Sequence, residues 1–265
     1  MTSLALLVEP GSTSSSITAT LDLFQIARRL APDDPFDLTL FSSQGGLISL
    51  SEFVQIKTQL LPRQLTGFDA VILPGFFAED PNELFEKLAD QWQPAIQCLR
   101  KLPLTTHIAA SCYGTFVLAE TGLLDGRRAT TTWWLRSVFE ERYPKIKLNV
   151  DQALIDGDRL ITAGAMTAHI DLSLHLLRRL KGDTLTRQVG SIMLIDEARS
   201  SQPLKYYQAL RIEQAKELLE TTRKSIDQIA LETGYVDTTS FRRLFARITS
   251  VSPTRYRQRF QNSKA

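Results

Sequence analysis

The feature that most limits what this chain can fold into is a change of hydrophobic period near Lys181-Gly182-Asp183. Before that point short apolar runs alternate with amphipathic stretches, and after it the period is helical throughout. LALLV (4–8), DLTLF (37–41), AVILPG (70–75) and THIAAS (106–111) are the apolar runs, and helix spacing fills Ile17–Leu30 and Asn82–Leu102 between them. Such runs, separated by helices, are the signature of strands buried on both faces. The expected fold class is therefore α/β, a parallel-sheet sandwich over residues 1–182, followed by a small all-α domain over 204–265. Ser200–Pro203 interrupts the helical period, so 183–203 is expected to be a linker.

Charge divides along the same boundary. Residues 1–182 carry 17 basic and 20 acidic side chains, whereas 205–265 carry 12 basic and 6 acidic. A basic terminal module suits a polyanion such as nucleic acid, and equally a solvated basic face. Two cysteines, Cys98 and Cys112, make no disulfide framework, which implies a reducing, cytoplasmic compartment. Met1–Val8 is apolar but stops at Glu9-Pro10, too short for a signal-peptide core or a membrane span, so no membrane partner is expected.

In the basic module, Leu204, Tyr207, Leu210, Ala215, Leu218 and Leu219 read as the stripe of one long amphipathic helix. Ser225 is placed to cap a short helix with Ile226, Ile229 and Ala230 inward, Gly234 supplies a tight turn, and Asp237-Thr238 opens another helix. The apolar face of this last helix is Phe241, Leu244, Phe245 and Ile248, leaving Thr238, Thr239, Ser240, Arg242 and Arg243 to face elsewhere. Arg grips guanine O6 and N7 and Thr methyls meet thymine, so a helix of this composition suits the major groove. Arg247, Arg255, Arg257 and Arg259 are cations for phosphates. The same spacing also serves a three-helix interaction domain with a charged surface.

Leu210–Glu220 (LRIEQAKELLE), followed by IDQIALETGYVDTTSFRRLFARITSVSPTRYRQRF, resembles the second half of an AraC-type DNA-binding module with its linking helix. The resemblance implies double-stranded DNA as partner, with Thr238, Thr239, Ser240 and Arg243 at the groove. The family normally carries two helix-turn-helix units, and 183–203 is too short for the first. Ser250 stands where the family usually turns with glycine. Specific binding by one protomer should then be weak and homodimerisation should matter more.

Cys112 follows an apolar strand and precedes a helix expected to begin near Gly114. A cysteine there is a candidate thiolate nucleophile, or simply a small residue in a tight turn. With LPGF (73–76), AETGLLDGRRATTTW (119–133) and ITAGAMTAHIDLSLHLLRR (161–179), the segment resembles the nucleophile elbow of the PfpI, or class I glutamine amidotransferase-like, superfamily, which implies a flavodoxin-like sandwich. The combination with an AraC-like module resembles the GlxA-type regulators. That family implies a ligand-responsive transcription regulator sensing a small-molecule effector, an amino acid or a quaternary amine.

Hydrolysis needs a base beside the thiol and a group to orient it. Tyr113 and Thr132 stand where relatives carry His, and Ser16 where they place an acid. Of the three histidines, His107 lies on the preceding strand, His175 on a helix, and His169 near a helix start from which it would approach Cys112. Neither an enzyme nor a cofactor or metal site is expected; the expected ligand pocket is Gly75, Cys112, Tyr113, Trp133 and His169. The rival readings are a cysteine-dependent hydrolase or hydratase with a vestigial tail, a regulator that no longer binds DNA by itself and acts through a partner, and a redox sensor using Cys112.

Overall fold

Leu4, Ala5 and Leu6, which point alternately to the two faces, have no exposed surface, as in a strand covered on both faces. In the computed structural model, which describes residues 1–164, 167–195, 203–235 and 237–262 (backbone only for 203–207 and 260–262), this run is β1 (Thr2–Leu7), central in an eight-stranded sheet. β1 pairs in parallel with β2 (Phe36–Ser42) and β5 (Ala70–Leu73); β5 pairs with β6 (His107–Ser111), and β6 with β10 (Leu160–Ala163), all parallel. The edges are antiparallel: β3 (Gly46–Ser49) pairs with β4 (Gln55–Leu60), and β9 (Leu154–Gly157) with β10. β2 meets β1 from Phe36 to Phe41 but β4 only at Phe41 and Ser42. β7 (Arg128–Ala129) and β8 (Lys147–Leu148) form a separate short ladder.

α1 (Ser14–Leu30), α6 (Ala168–Lys181) and α7 (Asp183–Ile192) pack together on one face. α2 (Pro81–Ala89), α3 (Gln93–Leu99) and α4 (Gly114–Glu120) cover the other, closing a core of Ala5, Leu7, Val71, Leu73, Ile108 and Ala110 from the sheet against Leu84, Trp92, Leu99 and Phe116. Each large side chain so buried contributes roughly 1.5–3 kcal/mol. α5 (Arg136–Arg142) adds Phe139, whose ring meets Phe116 edge-on at 4.8 Å.

Three expectations shift. Asn82–Leu102 is two helices, because Pro94 has no N–H for a continuous ladder and instead sits in the first turn of α3. The expected linker 183–203 contains α7, which buries Leu185 and Val189 and contacts α1 and α6; the chain divides into compact units at Met1–Ser201 and Gln202–Ala265. Within the second unit the inward stripe of α8 (Pro203–Thr221) is Ile212, Ala215 and Leu219, with Leu218 partly buried beside it, while Leu210 is 45% exposed. The side chains of Leu204 and Tyr207 lie outside the described residues.

The second unit continues with α9 (Ile226–Glu232), α10 (Thr238–Thr249) and α11 (Pro253–Asn262) around Ile229, Ala230, Phe241, Leu244 and Phe245. Ile248, expected on the buried face, is 40% exposed at the far end of α10. Ser225 makes a capping box with Gln228, at 3.1 Å from its hydroxyl to the Gln228 amide and 2.9 Å in return, and Gly234 turns with φ +83°. Ser250 ends α10 in the left-handed region at φ 63°, which strains a residue with a Cβ. Ser250→Gly should therefore stabilise this unit by about 0.5–1 kcal/mol after the added unfolded-state entropy is subtracted. Urea unfolding followed by circular dichroism checks this, and an unchanged or lower midpoint would contradict the strain.

Candidate functional site

Cys112 leaves β6 in the left-handed conformation, φ 55°, and its amide is held by the carbonyls of Ala163 at 3.1 Å and Gly164 at 2.8 Å beyond β10. α4 begins two residues later because Gly114 has no side chain: a Cβ there would stand 2.6 Å from both the Leu73 and Pro74 oxygens. Gly75 is as close, since a Cβ on it would meet Cys112 Cβ at 2.9 Å and both Cys112 Sγ and Thr13 Oγ1 at 3.3 Å. The elbow expected from sequence thus forms, with Gly75 packed directly on the cysteine.

Threonines hold the turn by hydrogen bonds. Thr13 donates its amide to Gly75 O at 2.8 Å, Thr131 Oγ1 donates to Cys112 O at 2.8 Å, and the Thr115 amide donates to Cys112 O at 3.1 Å. Ser16, Thr115 and Thr132 are buried, and their hydroxyls have no partner among the described residues. Among these side chains none is a base. Burial pushes the Cys112 thiol up to about 12, and the Tyr113 amide turned toward the sulfur offsets only part of this. Of the two readings of Cys112, burial favours the small residue in a tight turn over the thiolate nucleophile: desolvation outweighs the start of a seven-residue helix.

His169 is also corrected. It sits at the start of α6, fully buried on the α1 side of the sheet, with Nε2 2.7 Å from Thr20 Oγ1 and Nδ1 2.7 Å from Ser111 Oγ. Thr20 gives its own hydroxyl proton to Ser16 O at 2.9 Å, so the network assigns Nε2–H as donor to Thr20 and Nδ1 as acceptor from Ser111. Both nitrogens are used and burial lowers the imidazole to about 4, so His169 ties α1, β6 and α6 together and lends nothing to Cys112.

The aromatic side of the elbow does assemble. Tyr113 packs edge-on against Phe76 at 5.6 Å, and Trp134 Nε1 donates to Tyr113 OH at 3.2 Å. Trp133 meets only Trp134 among the ring contacts described, edge-on at 5.5 Å. Trp134, at 46% exposure, is the more available indole. The buried hydroxyls of Thr13 and Thr115 were missed in the sequence; the TTT run before Trp133 was the one visible signal.

In the second unit Thr239, Arg242, Arg243 and Arg247 are exposed on α10 and Thr238 is half-buried. Asp237 caps the helix, accepting from the Thr239 and Ser240 amides at 2.9 Å each and from Ser240 Oγ at 2.7 Å; these donors hold its carboxyl below the usual carboxylate range. Ser240 is thus occupied by the cap rather than free for a base. Arg242 reaches Asp227 at 3.6 Å, an exposed and weak pair. Arg257 donates to Lys224 O at 2.6 Å, a tie between the α8–α9 connection and α11 rather than a free phosphate contact.

Residues 4–179 match the model of the DJ-1/PfpI family, and residues 194–259 match that of a helix-turn-helix domain. The chain belongs to the DJ-1/PfpI family. Joined to that DJ-1/PfpI domain is an AraC-type helix-turn-helix unit. Its relatives include the HTH-type transcriptional regulator CdhR of Pseudomonas aeruginosa, 29% identical over 197 residues, covering 74% of this chain and 56% of CdhR. GbdR of the same species, also named an HTH-type transcriptional regulator, is 23% identical over 96% of this chain and 70% of its own. The chain thus spans little more than half of CdhR. Isonitrile hydratase of Pseudomonas putida is 34% identical over 77 residues, 29% of this chain and 32% of its own. Among solved structures, an AraC family transcriptional regulator from Pseudomonas putida shares the fold with a TM-score of 0.57 at 21% identity, over 73% of this chain and all of that one. Drosophila melanogaster DJ-1beta does so with a TM-score of 0.60 at 19% identity, over 74% of this chain and 98% of that one.

Two outcomes are expected of this DJ-1/PfpI elbow. Iodoacetamide at pH 8 should leave Cys112 unmodified in the native protein and label it in urea, read by mass spectrometry; rapid native labelling would contradict the buried thiol. The unfolded chain takes up the His169 proton near pH 6.5 and the folded chain only near 4, so stability falls as pH drops below 6.5 and the loss is complete below about 4. That loss is about 3 kcal/mol. His169→Gln should flatten this dependence in urea titrations at pH 7 and 4.5.

Proposed function

We propose that this chain is a ligand-responsive DNA-binding transcription regulator acting as a homodimer in the cytoplasm, and not an enzyme. The observation that carries this reading is α10, fixed by Phe241 and Phe245 in the core and presenting Thr239, Arg242, Arg243 and Arg247 outward from a capped helix start. Arg243 lies four positions from Thr239 on the same face, so both side chains enter one groove together. Arg247, one turn further, suits a phosphate.

The elbow serves as the effector site. Unpartnered buried hydroxyls at Ser16, Thr115 and Thr132 offer hydrogen bonds, and the Tyr113–Trp134–Trp133 cluster offers ring faces to an amine or quaternary ammonium. An amino acid or a quaternary amine fits these groups. Binding there acts on DNA affinity only through a difference in ligand affinity between two arrangements of the dimer.

The 77-residue similarity to isonitrile hydratase favours a second reading, a cysteine-dependent hydratase or hydrolase. Against it stand a thiol near 12 and a histidine whose two nitrogens are engaged. A turnover that disappears in both Cys112→Ala and His169→Gln would revive it.

The test is fluorescence-anisotropy binding of the full-length protein to the DNA upstream of its own gene and to a random duplex at two salt concentrations. Salt-sensitive binding that prefers the upstream DNA is expected. Arg243→Ala should weaken it by about 1–3 kcal/mol and erase much of the preference, whereas Arg247→Ala should weaken both duplexes alike and lower the salt slope by about one. Equal, weak binding to both duplexes by the parent protein would overturn the reading.

A further inference from the structure

A cavity of about 620 Å³ lies between the C-terminal half of α1 and the first half of β2. It is well removed from Cys112, since Ser14 and Arg28 are separated by about 20 Å along the helix. Leu21, Phe24 and Gln25, and Arg28 and Arg29 form one stripe of α1 at successive turns, and Phe36, Asp37 and Leu38 line the strand side. Phe24 and Phe36, with ring centroids 5.0 Å apart, make an apolar floor. The space stays open because β4 joins β2 only at Phe41 and Ser42, beyond the cavity.

The charges at its mouth are unequal. Arg28 and Arg29 are exposed, and neither has an ion-pair partner among the described residues. Asp37 is the acid in the lining, and Asp34 nearby is already taken by the N-terminal ammonium at 3.3 Å and by Lys181. Lys181 adds a further cation, its Nζ 5.2 Å from the Phe36 ring centroid. The chemistry is an apolar floor beneath a net positive rim, in a volume of the size that small ligands fill.

We propose that this cavity binds an amphipathic organic anion, a carboxylate carried on an aryl or alkyl body. The body displaces water from Leu21, Phe24, Phe36 and Leu38, and the carboxylate accepts hydrogen bonds from the guanidinium groups of Arg28 and Arg29, whose planar forks match its two oxygens. The site is separate from the Cys112 elbow and does not depend on what the elbow holds.

The probe is 4-phenylbutyrate, compared with its uncharged amide, titrated into the full-length protein by calorimetry with saturation-transfer NMR as a second readout. The acid should bind about tenfold or more tightly than the amide, and Arg28→Ala with Arg29→Ala should remove that difference. Both arginines are exposed, so this variant keeps its fold. Leu38→Trp, filling the cavity, should abolish binding of acid and amide while a cooperative thermal transition persists. Equal binding of acid and amide, an arginine variant that binds like the parent, or no binding of the acid would overturn the proposal. So would a dimer that dissociates in the arginine variant while the parent ignores the probe, because a second copy would then cover this face.

Discussion

Two missing side chains govern the N-terminal unit. At Gly114 and Gly75 the backbone of the β5–α2 connection lies so close to the β6–α4 turn that a methyl group at either position would collide with a carbonyl or with Cys112. This close approach forces Cys112 into the left-handed region and sends α4 back across the face of β5 and β6. The crevice at the carboxyl ends of the parallel strands, where open α/β sheets place their ligands, is shaped by that contact.

Within this frame the polar groups divide between the two faces of β6. Ser111 points to the α1 and α6 side and is spent on His169, while Cys112 opens the turn on which Thr13, Thr131 and Thr115 converge through backbone bonds. The histidine and the cysteine are near in space through adjacent residues yet serve separate networks. Chemistry that needs a proton passed between them has no route among the described side chains.

How much of this was legible follows from the range of each interaction. β1 and β5 were readable because LALLV and AVIL are uninterrupted apolar runs bounded by turn residues, and β2, β6 and the turn at Cys112 from shorter apolar stretches set between helical segments. The outer strands β3, β4 and β9 mix Gly, Ser, Gln and Asp with apolar residues and carry no such signal. The role of His169 was hidden because Thr20 stands 149 residues away and only the packing of α1 on α6 brings the two together. In the second unit the helices were readable from Ser225, Gly234 and Asp237, and Ala215 and Leu219 of the expected α8 stripe lie in the core, whereas Leu210 looked inward on a helical wheel and Ile212 takes the buried place instead. Ser240 was read as a free hydroxyl, although a Ser three places after an Asp cap is well placed to bond it.

The buried, protonated thiol of Cys112 limits the chemistry open to the proposed effector site. Thiolates, not thiols, attack peroxide and other electrophiles, so a thiol kept neutral and out of water is chemically quiet. On the proposed reading, a molecule held beside such a thiol would leave unaltered. Occupancy of the elbow would then follow the surrounding concentration reversibly, as a gauge does, whereas a reactive elbow would register how fast its ligand is being consumed.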